Sequence, residues 1–217
     1  YALPYRVTGA TSCGVAQPSM AKNNGMFLMT SVLNDTLYTW HDGRVDPLYV
    51  IQTGKQAFPQ KAIDDGGPYD YYPEVVSKAQ KKGYSSGIER VWLTEKFGCA
   101  EYHIYRGTGS FYMNNQLHEM IFHAVNYLIW DLKTHRAIHY SPAGTWGSSL
   151  FYPGRKTFCT ATENALVSCI PAYEIAGIDR AKMDGDPIYS DSRIREIVDS
   201  TEENDNPVIV YYPLDSI

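Results

Sequence analysis

Nothing in the 217 residues approaches the run of about 20 apolar side chains that a membrane-spanning helix requires, which gives the expectation of a soluble domain without membrane insertion. Basic residues are outnumbered, Lys+Arg 19 against Asp+Glu 24, for a net charge of −5. Such a chain has no broad positive field to gather phosphates, so general nucleic-acid binding is disfavoured. Cysteine is scarce too. Cys13, Cys99, Cys159 and Cys169 contain no CxxC pair, which argues against zinc ribbons and thioredoxin-like chemistry. GxGxxG, P-loop, GxSxG and DxDxDG patterns are all missing, so nucleotide, acyl-serine and EF-hand calcium sites have no local support, and no cofactor is expected. There is no internal repeat of fixed period and no low-complexity tract. With Tyr1 in place of an initiator Met and no apolar leader behind it, the expectation is a processed product or an excised part of a longer chain.

What is present is ordinary globular material with an aromatic bias. Hydrophobic residues make up 44% and charged residues 20%, far from the composition that stays disordered. The length suits one β-rich domain over residues 1–217, able to bury about 70% of its unfolded surface. Tyrosine alone contributes 18 residues. Its apolar ring and polar tip suit half-buried strands and recognition surfaces more than a helical enzyme core.

The residue order predicts an all-β fold with one minor helix, an antiparallel meander forming a barrel or sandwich with long loops. Asp35–Trp40 and Leu48–Thr53 are strand-like and flank His41-Asp42-Gly43-Arg44, where Asp-Gly signals a hairpin. The stretch Gly54–Pro73 carries three prolines and three glycines among polar residues and predicts a long surface loop. Glu74–Lys82, stopped by Gly83, is the short helix. Strands are then expected at Ile88–Thr94, Ala100–Arg106, Ser110–Met113, Met120–Trp130 and Arg136–Tyr140, with turns every eight to twelve residues. Met120–Trp130 also fits a helical stripe, but its aromatic and β-branched residues favour a strand. Ser141–Pro153 reads as a second long loop, and Val208–Tyr212 as a closing strand. Between them, Asp184–Asp205 carries eight acids against Arg193 and Arg195, the pattern of a solvated face or loop.

Several groups of residues could carry chemistry. Cys159 and Cys169 lie ten apart, so adjacent antiparallel segments could bring them to bridging distance; the alternative is that all four cysteines are buried thiols. His118 and His123 around Glu119 form HExxxH, one residue longer than the zincin spacing, and neither a helix nor a strand places both imidazoles on one face. Cys13-Gly14 with a distant His103 or His139 lacks a marked orienting residue for thiol catalysis. Asn34-Asp35-Thr36 is a single glycosylation sequon of a kind that arises by chance.

Two resemblances add to this reading. Glu101-Tyr102-His103-Ile104-Tyr105-Arg106-Gly107 looks like the strand-borne Tyr-Arg-Gly of arginine-dependent ADP-ribosyltransferases, in which Arg106 would hold a dinucleotide phosphate. The chain departs from that pattern at the following features, offering Ser148-Ser149 and a lone Glu163 for the Ser-Thr-Ser strand and Glu-x-Glu pair. Over most of its length the chain resembles, in architecture and composition, the projecting spike domain of astrovirus-type capsid proteins. The segments concerned are LYTWHDGRVDPLYVI, SFYMNNQLHEMIFHAVNYLIWDLKTHRAIHY and DSTEENDNPVIVYYP.

The spike resemblance implies a non-catalytic virion-surface domain that attaches a non-enveloped virus to a host-cell receptor, protein or glycan. It also implies a homodimer and exposed loops carrying neutralising-antibody epitopes. Loop length and aromatic content place the receptor or antibody contacts at Lys61, Asp64, Asp65, Tyr69, Tyr71 and Tyr72, and at Trp146, Tyr152 and Arg155. The competing expectations are a secreted or toxin-like ADP-ribosyltransferase around Arg106 and a secreted adhesin or lectin-like module.

Overall fold

The computed structural model describes residues 27–30, 35–57, 81–113, 116–142 and 149–214. Its strands are β1 Phe27–Met29, β2 Thr36–His41, β3 Arg44–Val50, β4 Ser85–Leu93, β5 Phe97–Met113, β6 Gln116–Asp131, β7 Ala137–Tyr140, β8 Phe158–Ala161, β9 Ala165–Ile170 and β10 Val208–Pro213. They form three antiparallel sheets, ordered β1-β2-β3, β4-β5-β6-β7 and β10-β9-β8. Every sheet pairs strands that follow one another in sequence, and the fold is the expected all-β meander, in sandwich form.

Local chemistry accounts for the first hairpin. Asp42 and Gly43 take φ of 48° and 76°, so both central residues are left-handed, as the two-residue turn between paired His41 and Arg44 requires. Pro47 cannot donate to a ladder and sits on β3, an edge strand, next to a bulge. Met120–Trp130 is indeed strand, within β6. At the far end of that strand Asp131 accepts hydrogen bonds from the backbone N–H of Lys133 and Thr134 and closes the turn to β7.

The four-stranded sheet is buried on both faces. Leu28, Leu37 and Ile51 of the first sheet region pack on Val91, Ala100 and Trp130. On the opposite face Trp92, Phe97, Cys99, Tyr127 and Ile129 meet Phe158 and Leu166 of the third sheet. The period-two alternation of a strand explains why neighbours such as Ile129 and Trp130 serve different cores. A further cluster of Phe151, Ile170, Ile175, Met183, Tyr189 and Val198 joins the third sheet to the C-terminal helical segment. Fully burying side chains such as Leu37, Ile170 and Val198 contributes about 1.5–3 kcal/mol each.

Several expectations change or fall outside the described residues; residues 58–73 of the loop expected at Gly54–Pro73 and 143–148 of that expected at Ser141–Pro153 are among the latter. Ala100–Arg106 and Ser110–Met113 are parts of one strand, β5, because a bulge at Arg106 absorbs the irregularity and Gly107 and Gly109 stay in register with Phe122 and Met120. The acidic Asp184–Asp205 stretch is largely helical rather than loop. Asp179, Asp186 and Asp191 accept the backbone N–H of Ala181, Ile188 and Arg193, capping two 3-10 segments, Arg180–Gly185 and Pro187–Ser190, and the helix Ser192–Ser200, whose Val198 is fully buried. Cys159 and Cys169 are free thiols rather than a disulfide. A bulge sets Phe158 opposite Ser168 and Thr160 opposite Val167, and the displaced Cys159 thiol donates to the Val167 carbonyl. Of the predicted helix, only Lys81 and Lys82 are described; both are helical, and Gly83 follows at φ 66°.

Candidate functional site

Glu101 and His103 stand two apart on β5, so the strand aims both at the face that carries Cys99 and Phe97. A third group reaches them through a bulge. The ladder pairs Ile88 with Tyr102 and Arg90 with Glu101, leaving Glu89 as the extra residue on β4. His103 lies between the two carboxylates, its Nδ1 3.1 Å from Glu89 Oε1 and its Nε2 3.1 Å from Glu101 Oε1. Burial pulls the imidazole toward neutrality, but the hydrogen bonds and charges of Glu101 and Glu89 outweigh it and hold the pKa at about 9. At neutral pH His103 is therefore an imidazolium held between two carboxylates.

Glu101 is 2% exposed, and its second oxygen, Oε2, has no hydrogen-bond partner. Directly across the ladder stands Tyr127, fully buried, whose hydroxyl also lacks a partner. The phenol faces the carboxylate, and burial first, then the Glu101 charge and the contact of the hydroxyl with that carboxylate, raise its pKa far above the ordinary value. Leaving such groups unpaired costs about 1–3 kcal/mol each. Tyr127 is fixed by Phe158, by Tyr140 and by Gly154, where an added Cβ would come within 2.5 Å of the ring. Tyr140 in turn donates its hydroxyl hydrogen bond to the Pro153 carbonyl. The result is a polar cluster of Glu89, Glu101, His103 and Tyr127, exposed to solvent at Glu89. A separate cleft of about 140 Å³, lined by residues including Ser149, Met183 and Tyr189, contains Asp179 and Lys182, which pair with each other at 3.2 Å.

The second feature is a projecting ribbon. β4 pairs with β5 only as far as Ile104, and β7 pairs with β6 only as far as Tyr127. Beyond those limits β5 and β6 continue together from the Tyr105/His123 pair to the Met113/Gln116 pair, with no third strand among the described residues. Eight paired levels at about 3.3 Å each make an arm roughly 25 Å long. Near its tip Tyr112 and Leu117 are directly paired, and they are 77% and 58% exposed. Two-stranded ribbons are marginal in water unless another surface packs on them.

The residues singled out from sequence are distributed as follows. Lys61, Asp64, Asp65, Tyr69, Tyr71, Tyr72, Trp146 and Cys13 lie outside the described residues. Tyr152 is half-buried and donates its hydroxyl to Asp186 at 2.8 Å, while Arg155 is exposed. His139 shares a 3.3 Å hydrogen bond with Asn126 on the opposite face from His103. Arg106 is exposed at the β5 bulge. Glu163 pairs with Lys96, which precedes β5 and stands about 30 Å of strand away from Arg106, so the structure does not assemble the ADP-ribosyltransferase constellation. The Glu89 triad was missed as a unit. Glu-x-His on a strand is a legible signal for two of its three members, whereas the arrival of Glu89 depends on a bulge that only strand pairing creates.

No protein-family model matches this sequence, and no curated protein matches it. Among solved structures, a "Putative exported protein" from Bacteroides fragilis NCTC 9343 is similar, at a TM-score of 0.46 and 14% sequence identity, over 84% of this chain and 46% of that one. This chain thus spans less than half of that protein's length.

Proposed function

We propose that this chain is a non-catalytic recognition domain that works as a homodimer, in the setting of a non-enveloped virion surface, where it attaches the particle to a host-cell receptor and presents loops to neutralising antibodies. The observation that carries the dimeric recognition reading is the β5–β6 arm with its exposed Tyr112/Leu117 pair. A second copy is the occupant that its charge favours. The chain carries −5, yet the arm's sequence holds one Arg and one Glu, so two arms meet without the repulsion the rest of the surface would impose. Nine residues of β5 and eight of β6 make up the arm; with alternate side chains on opposite faces, one face supplies about half of these toward the roughly 20–30 residues that each side of a standard interface uses. The virion setting and the receptor role rest on the spike resemblance in the sequence.

The test is binding of the labelled, purified chain to a panel of host cells, beside the Tyr112→Ser/Leu117→Ser double variant. The reading predicts saturable binding by the parent and a loss of about a hundredfold in avidity for the variant, whose monomers engage one site at a time. Absence of binding to every cell type, together with nicotinamide release from NAD that Arg106→Ala abolishes, would replace it with the enzyme reading.

A further inference from the structure

Glu89, Glu101 and His103 form the one cluster among the described residues in which three metal-ligating side chains each offer an atom within 4.8 Å of the others. We propose that they bind a single divalent first-row transition cation, zinc or manganese(II) in chemical class, through one nitrogen of His103 and one oxygen from each carboxylate, with water completing the coordination sphere.

Three observations carry this. The donor set of one imidazole and two carboxylates is the mixed nitrogen and oxygen chemistry such cations take. The ligand atoms are already close: they lie within 4.8 Å of one another, and whichever ring nitrogen binds has one carboxylate at 3.1 Å, Glu89 on Nδ1 or Glu101 on Nε2, against about 3–3.5 Å between neighbouring ligand atoms around a metal with bonds of about 2.0–2.2 Å. Binding requires the carboxylate on the far nitrogen to rotate toward the same ring edge, and the cation displaces a proton from His103, which is released to solvent.

The independent observation is the orphaned oxygen. Glu101 Oε2 is buried and has no partner, and the Tyr127 hydroxyl beside it is equally unsatisfied. A buried carboxylate left half-paired is unusual in a folded protein, and a cation that draws on Glu101 Oε1 would let the carboxylate settle with Oε2 on the Tyr127 hydroxyl, so that both atoms gain a partner. Tyr127, clamped by Phe158, is then placed to orient the Glu101 carboxylate as an outer-shell group. A cation can reach the cluster from solvent through Glu89, whose side chain is 37% exposed.

The experiment uses the full chain, without an affinity tag and stripped by a chelator. It is titrated calorimetrically with zinc chloride and with manganese chloride, and metal content is measured after gel filtration. The proposal expects one cation per chain, with affinity lowered about tenfold or more in His103→Ala, Glu101→Gln and Glu89→Gln. Because the buried Glu101 variant can fail to fold, Glu89→Gln on the exposed side keeps the test decisive, with circular dichroism confirming its fold. Glu163→Gln, at the exposed Lys96 pair, should leave affinity unchanged. Failure of both metals to bind saturably up to millimolar concentration overturns the proposal. Binding that Glu89→Gln and His103→Ala leave unaltered also overturns it, since the metal would then sit elsewhere.

Discussion

Raising the pH should loosen this fold through His103 in a way that can be separated from every other titration. The imidazole holds its proton to about pH 9 in the folded chain, against about 6.5 when unfolded. Its stabilising contribution is therefore fully present below pH 6.5 and lost as pH rises through 9. That gap sets a ceiling of about 3 kcal/mol. Solvent at Glu89, 37% exposed, screens part of the interaction, which leaves about 1–2 kcal/mol. Urea unfolding of the metal-free chain at about pH 6 and pH 9.5, beside His103→Gln, measures it. The parent should lose about 1–2 kcal/mol more than the variant between the two conditions. Parallel losses in both proteins would refute the carboxylate–imidazolium–carboxylate arrangement.

Two further outcomes follow from packing and capping. Gly98→Ala would drive a Cβ to 2.1 Å from Trp130 Cζ2 in the centre of the sandwich, and should destabilise by about 2–3 kcal/mol in the same urea assay. Asp191→Ala removes the carboxylate that accepts the Arg193 N–H at 2.8 Å and should cost about 1 kcal/mol, with a fall in helical circular dichroism from Ser192–Ser200.

The parts of this fold legible in the sequence are those set by local chemistry. Asp42-Gly43 dictates its own turn, and the β-branched and aromatic residues of Met120–Trp130 decided strand over helix. What could not be read locally is pairing. Gly107 and Gly109 looked like a break in β5, yet sixteen partners on β6 carry the strand through them. Cys159 and Cys169 have a plausible spacing, but the β8–β9 register, with Phe158 opposite Ser168 and Thr160 opposite Val167, does not set them opposite each other on either side of its bulge. The acids near the C-terminus are solvated as expected, but they lie largely on helical turns rather than in a loop, which charge weighed without position does not reveal. Asp186 before Pro187 and Asp191 before Ser192 are N-cap signals that a positional reading would have caught. Glu101 and His103 were visible as neighbours on one strand face, whereas Glu89 and Tyr127 arrive from β4 and β6 by non-local registry.

Joining of two copies of the chain through the β5–β6 arm can be measured by sedimentation equilibrium with and without reductant. With thiols free, the parent should sediment at twice 24.5 kDa in both conditions, and Tyr112→Ser/Leu117→Ser should sediment at 24.5 kDa with its fold intact. A parent that stays monomeric at every concentration, or a double variant that remains dimeric, would contradict the claim.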